Sequence, residues 1–492
     1  MKENKRIIAA LLCMAMVVAV VFAGRENTIE EVDTVEVFDN DSLVVWYTDD
    51  SLTDYLNSMA VEFHEKNGVR VLPKLQTGDD YIESIYKASM EEKGAPDLYI
   101  LADDALEKAY MSGCASVIDD EEIVSDVNYP APAIKAVSYH HKPVAYPYYF
   151  ETTALIYNES YLYEMATNLV QAHNAKNPDD NSDEEETSEE PSLSEKEQIE
   201  ARVKQTIPST FDDLLTFANE FDAPPDVETI YKWDVRDIFY NYFFVGNYIN
   251  IGGENGDDAS VIDIYNTDAI KAFSFFQDMN QFFAFESAEV TYKQVVDEFI
   301  QGKLVYATVT SDALASLREA KADGSFKYDY GITMIPDLTE EMDTRSLSVT
   351  NTLVVNGYSN KRKEANDFAR YLCIDNADSL YEKTDKLPSK IGVFDKDSEE
   401  FAFVQEYSYS VPMPKMMATS NCWLLMEGTF ADIWSGKDVS MSLKELSEQI
   451  KHQVTGEDVS EEYIEYEEET ESIEYLDEEA LKEAAQNETE ED

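Results

Sequence analysis

Cysteine is scarce: four residues, at 13, 114, 373 and 422, in a chain of 492. With Cys13 inside an N-terminal apolar run, three remain, so at most one disulfide can form and a disulfide-stapled scaffold is excluded. No CxxC pair and no suitably spaced histidine completes a zinc set, and the five histidines contain no HExxH. His140 and His141 precede a strand-like run and read as loop residues. The chain also lacks a GxSxG elbow, a P-loop and a Cys/His nucleophile arrangement, so nothing in it points to catalysis or to a bound cofactor. Positive charge is short as well: 38 Lys plus Arg stand against 101 Asp plus Glu, a formal net charge of −63. Such a chain repels phosphate backbones and anionic lipid, which excludes nucleic acid as a partner.

What is present is enough for two or three packed units. Apolar residues make up 44% and aromatics 12%, so most of the chain can offset the entropy of ordering. The acids are unevenly spread. Asp179 to Glu200 carries 11 acids and one Lys, Glu457 to Asp492 carries 18 and one Lys, and the remainder still holds −36. The segments 174–204 and 456–492 read as a disordered insertion and a disordered tail. Tyr463, Ile464, Tyr466, Ile473, Tyr475 and Leu476 are the tail residues able to form a short amphipathic piece. The acidic body reads as a soluble surface, with calcium or a cationic surface partner as the sharper alternative.

Lys2, Lys5 and Arg6 precede an apolar run from Ile7 to Ala23, the pattern of a secretory signal, with a cleavage position after Ala23. Residues 1–24 are expected to be a signal or a retained N-terminal anchor, giving possible membrane attachment through residues 7–23, and 25–41 an acidic linker. Export places the protein outside the cell or in the envelope. A lipid anchor is not expected, because Arg25 stands where a lipoprotein signal requires Cys.

Strand and helix patterns alternate from Ser42. Leu43 to Tyr47 is a continuous apolar run, and Leu52, Tyr55, Leu56, Met59, Ala60 and Phe63 follow at helical spacing. Short strands at 69–72 and 96–101 with helices at 81–90 and 105–110 continue the alternation, which predicts an α/β layer on a largely parallel sheet. Val144 to Asn158 reads as two apolar runs joined by a polar break, a crossing between lobes. Beyond it the pattern predicts helices at 161–172, from 211, at 234–246, 268–285, 292–301, 312–320, 361–374 and within 421–452. Strands are predicted at 304–309, 330–335 and 352–356.

Seven segments in order carry a family resemblance: Leu43–Trp46 with Phe63–Val69; Gly94-Ala95-Pro96-Asp97-Leu98-Tyr99; Ala145-Tyr146-Pro147 through Glu151 to Asn158; Pro208 to Leu215; Phe299-Ile300-Gln301-Gly302-Lys303; Lys386-Leu387-Pro388-Ser389; and Val411-Pro412-Met413-Pro414 ahead of Trp423. Over 43–452 the chain resembles the extracellular solute-binding proteins of ABC importers, in the family that includes maltose-binding protein. The resemblance implies an α/β, two-lobe periplasmic-binding-protein-like fold, with hinge-connected lobes and a ligand cleft between them. Lobe 1 is expected from 42–150 plus 336–387 and lobe 2 from 151–335 plus 388–455, with hinges near 149–152, 333–337 and 387–390. It implies a monomer that delivers a small solute, a sugar by preference, to a permease of an ABC importer.

Carried over residue by residue, Asp50, Asp104, Glu151 and Trp423 fall on positions resembling sugar contacts. Ser51, Ala105, Leu101, Asp312 and Glu427 depart from that pocket, which has Lys, Arg, Trp, Trp and Arg there. Asp237 and Trp233, in the run Trp233-Asp234-Val235-Arg236-Asp237, are further candidates, as is Asp312. Each has a plainer reading: the acids after strands as helix caps, Trp423 as core. The acid-rich candidate set, with Arg236 as the one basic residue placed near it, argues against an anionic solute and leaves a neutral sugar or a polyamine-like cation. A surface or sensor protein using the same fold is the other open reading.

Overall fold

The computed structural model describes residues 41–466 apart from 79, 92–93, 121, 177–193, 284–289 and 420. The expected signal and nearly all of the linker lie outside the described residues. Among the described residues no helix is long and apolar enough to cross a membrane.

The frame is a sheet in the order Val71–Leu75, Leu43–Tyr47, Leu98–Ala102, Leu347–Val355, Tyr146–Asn158, Leu304–Thr310, Thr229–Lys232. Val45 and Trp46 pair in parallel with Leu98 and Tyr99. The strands Leu347–Val355 and Tyr146–Asn158 run antiparallel to their neighbours. The sheet is therefore mixed rather than largely parallel. The cause is the crossing strand itself: at 13 residues it is long enough to pair Tyr146–Thr152 in one half and Thr153–Tyr157 with Leu304–Thr310 in the other.

Separate cores grow on the two halves. One buries Leu43, Tyr55, Phe63, Tyr99, Val354 and Phe368. The other buries Phe211, Trp233, Phe244, Phe276, Phe430 and Trp434. Helix Thr53–Asn67 shows how the pattern produces this: Tyr55, Leu56, Met59, Ala60 and Phe63 fall on one face, and Gly68 at φ +74° ends the helix in a left-handed conformation that costs glycine little. Helix Phe211–Glu220 starts at a capping box, Thr210 and Asp213 satisfying each other's backbone N–H. A third cluster, with Phe150, Ala154, Phe299, Leu314, Phe403 and Tyr407, packs around the crossing strand.

Several expectations are corrected. The region 234–246 is a four-residue helix, Ile238–Asn241, and a 3-10 turn, Tyr242–Phe244, because Asp237 caps it late. Helices Ala131–Val137, Ala377–Thr384 and Phe401–Tyr409 stand outside the predicted set. The expectation of disorder over 174–204 fails at both ends, where helices Glu159–Lys176 and Glu195–Thr206 stand, and 177–193 lie outside the described residues. Helix Glu195–Thr206 begins at a Ser194–Glu197 capping box and buries Ile199 and Val203 against the second core. Within the tail, Ser440 Oγ donates to the Ile464 carbonyl and Ile464 N–H to Tyr265. Ile464 and Tyr466 pack on the same core, and 467–492 lie outside the described residues. Cys114, Cys373 and Cys422 are buried free thiols.

Candidate functional site

The side-chain alternation of the crossing strand sorts its residues between two faces. Phe150 points one way and stacks on Tyr407, ring centroids 3.9 Å apart and planes 1° from parallel. Tyr149 and Glu151 therefore point the other way. Leu387 and Pro388 pair with Phe150 and Tyr149, which delivers Lys386 to the Glu151 side. Its ammonium lies 2.8 Å from Asp49 Oδ2 and over the Tyr149 ring, 5.6 Å from the centroid. Burial acts to raise the Asp49 carboxyl, but hydrogen bonds from Lys386 and Ser51 hold it below its ordinary value. Glu151 is pushed the opposite way: burial raises it, Lys386 pulls it back, and Asp312 and Asp49 add like charge.

Asp312 comes from the far half of the sheet, after strand Leu304–Thr310. Tyr292 Oη donates to its Oδ1 at 2.7 Å, and Thr310 Oγ1 binds both Asp312 Oδ1 and Tyr292 Oη. Tyr292 stacks on Tyr240 at 4.9 Å, and Asp234 Oδ2 accepts the Tyr292 N–H at 2.8 Å. Asp312 adds like charge to Glu151, so the carboxylates beside Lys386 and the carboxylate fixed by the stacked Tyr240–Tyr292 pair lie within electrostatic reach of each other. Such an arrangement suits a small polar solute with both a face to stack and groups to hydrogen-bond. Among the described residues no group of three or more His, Cys, Asp and Glu is placed to hold a metal ion.

A family model, bacterial extracellular solute-binding protein, matches residues 58–401. The chain belongs to that family. Solute-binding proteins are also what its fold is similar to. A Staphylococcus aureus extracellular solute-binding protein in complex with maltose superposes with a TM-score of 0.67 at 19% identity, covering 84% of this chain and 98% of that one. A cyclo/maltodextrin-binding protein complexed with maltotetraose gives 0.66 at 19%, covering 84% and 97%. A Listeria monocytogenes maltose-binding periplasmic protein in complex with maltose gives 0.65 at 19%, covering 86% and 100%. At that identity the likeness establishes the two-lobe fold. No curated protein sequence matches.

Within this solute-binding protein the candidate residues separate. Glu151 and Asp312 are brought together electrostatically. Asp50 is exposed in the turn Asp50–Leu52 and Asp104 in the turn Asp103–Ala105, each just past the end of a strand. Their neighbours do the structural work: Asp49 caps the first turn, and fully buried Asp103 accepts the Thr350 N–H. Asp237 is exposed and accepts the Phe239 N–H as a helix cap. It also adds like charge to Glu427, whose carboxyl burial pushes up. Trp423 is half-buried, edge-on to Tyr242 at 6.2 Å. Trp233 is corrected outright: it is 0% exposed, stacks on Tyr231 at 4.9 Å and donates its indole N–H to Asn241. The strand Thr229–Lys232 aims it inward, so it is core and not a stacking platform.

Lys386, Tyr240 and Tyr292 join the candidates only through the structure, which sets them beside Asp49, Tyr149 and Asp312. Lys386 stood inside the quoted Lys386-Leu387-Pro388-Ser389 segment, and the hinge assignment beside it was the available signal. Nothing local marks the two tyrosines among the 31 in the chain.

Proposed function

We propose that the protein captures a small carbohydrate between its lobes and presents it to an ABC importer. The supporting observation is Glu151, with Lys386 and Asp49 beside it, feeling the like charge of Asp312, which Tyr292 holds next to the stacked Tyr240–Tyr292 rings. Carboxylates accept sugar hydroxyls, and aromatic planes take the apolar sugar face. Asp50, Asp104, Asp237 and Trp423 extend this site, and the neighbours' maltose and maltodextrin complexes are consistent with it. Torsions at the crossing strands bring the lobes together over the solute. Capture and release need no bond making, so the protein acts without catalysis, and the N-terminal 1–24 directs it out of the cell.

Calorimetric titration with maltotetraose and other neutral oligosaccharides tests this. Binding that varies little between low and high salt supports the sugar reading. The cation that Glu151 feels, Lys386, is already paired with Asp49, and this favours an ammonium solute as the second reading. Polyamine binding that falls steeply with salt, with no response to sugars, would replace the first reading by the second.

A further inference from the structure

A cavity of about 870 Å³ lies away from the Glu151 side of the crossing strand. Its walls are the helix Ala131–Val137, the segment 207–209, the hinge run Thr333–Asp337 and the helix Phe401–Tyr409. The last of these places Tyr407 on Phe150, so it packs on the face of the crossing strand opposite Tyr149 and Glu151. The solute site and this cavity are thus on opposite sides of one hinge. When the lobes close in front, the walls behind must part.

Glu406 sits in the rear wall, 4% exposed, and accepts the N–H of the hinge residue Ile335. The hydroxyl of Ser346, buried just ahead of strand Leu347–Val355, acts to pull the Glu406 carboxyl back down. The other charged groups around the cavity are Asp337, which faces Glu406 with like charge, then Asp343, Arg345, Lys135 and Lys204. Arg345 is engaged elsewhere, its guanidinium donating to the carbonyls of Tyr409 and Ser410. No cation neutralises Glu406 among its described partners, so burial is the main influence on its proton.

We propose that lobe closure is linked to the release of a proton from Glu406, which makes this hinge sensitive to external pH. Parting the rear walls hydrates the carboxyl, and hydration favours its charged form. The closed state then holds fewer protons than the open one, so raising the pH favours closure. Burial pushes the Glu406 carboxyl up to about 7, which puts the transition within the range an exported protein meets.

The test uses the full-length protein with no solute, and so stands apart from the sugar reading. Spin labels at Val61→Cys and Met441→Cys, exposed positions on the two lobes, report the interlobe distance. Between pH 6 and 8 the distance distribution should move toward the short, closed population. Glu406→Gln should abolish that movement. Ser346→Ala, which removes a hydroxyl that favours the charged form, should displace its midpoint to higher pH. An unshifted distance in the parent, the same shift in Glu406→Gln, or an unmoved midpoint in Ser346→Ala would overturn the proposal. The serine variant decides alone if Glu406→Gln does not fold.

Discussion

Asp49 and Lys386 meet across a 2.8 Å ion pair at the point where the loop after the first strand touches the segment leading into Leu387–Pro388, which pairs with the crossing strand. The pair lies next to Glu151, whose carboxyl Lys386 pulls down while Asp49 and Asp312 push it up. Lys386 therefore offsets part of the negative charge around Glu151.

Lys386→Met separates the two ligand readings. It should tighten a polyamine and leave a neutral sugar unchanged or about two- to five-fold weaker, a small effect because the ion pair is partly solvated. Calorimetry at fixed pH measures it. Equal weakening of both solute classes would remove Lys386 from charge selection.

The two tryptophans should fail in different assays. Trp233→Ala opens a hole in the second core and should cost about 3–5 kcal/mol of stability, seen as a lower thermal midpoint. Trp423→Ala should leave the midpoint nearly unchanged and weaken sugar binding by on the order of 1–3 kcal/mol. A Trp423 variant with unaltered affinity takes that ring out of the site.

Replacing 177–193 with a short glycine-serine bridge should leave unfolding untouched, because that stretch is acidic and has little apolar surface to bury. Extending the deletion through helix Glu195–Thr206 should lower the midpoint, as should Ile199→Asp alone, by about 2–3 kcal/mol from a buried charge. Differential scanning calorimetry distinguishes the three. A stable Ile199→Asp variant would show that the helix contributes nothing to the fold.

Stability should carry the Glu406 proton as well. Its folded-state value of about 7 lies above the ordinary 4.5, so between those values the folded chain holds more protons than the unfolded one. Unfolding free energy should then fall as pH rises from about 5 to 7, and Glu406→Gln should flatten that slope. Chemical denaturation across pH 5–8 reads it, and an equal slope in both proteins would assign the effect to other carboxyls.

The sequence by itself determined the parts that depend on local pattern. Apolar runs and helical spacing placed the first strand, the helix Thr53–Asn67 and the crossing strand, and seven ordered segments pointed to the family and its two lobes. Glu151 stood out because a polar break inside a long buried strand is visible in one dimension. Tertiary structure decided which neighbour of each pair does which job: Asp49 and Asp103 bond the backbone while Asp50 and Asp104 face solvent, and a strand's inward phase buries Trp233. It alone brought Lys386 to Asp49 and stacked Tyr240 on Tyr292. It also set Glu406 under a hinge amide from a different segment. Those relationships join residues far apart in the chain through sheet pairing and lobe packing, and neither composition nor spacing encodes a distance between them.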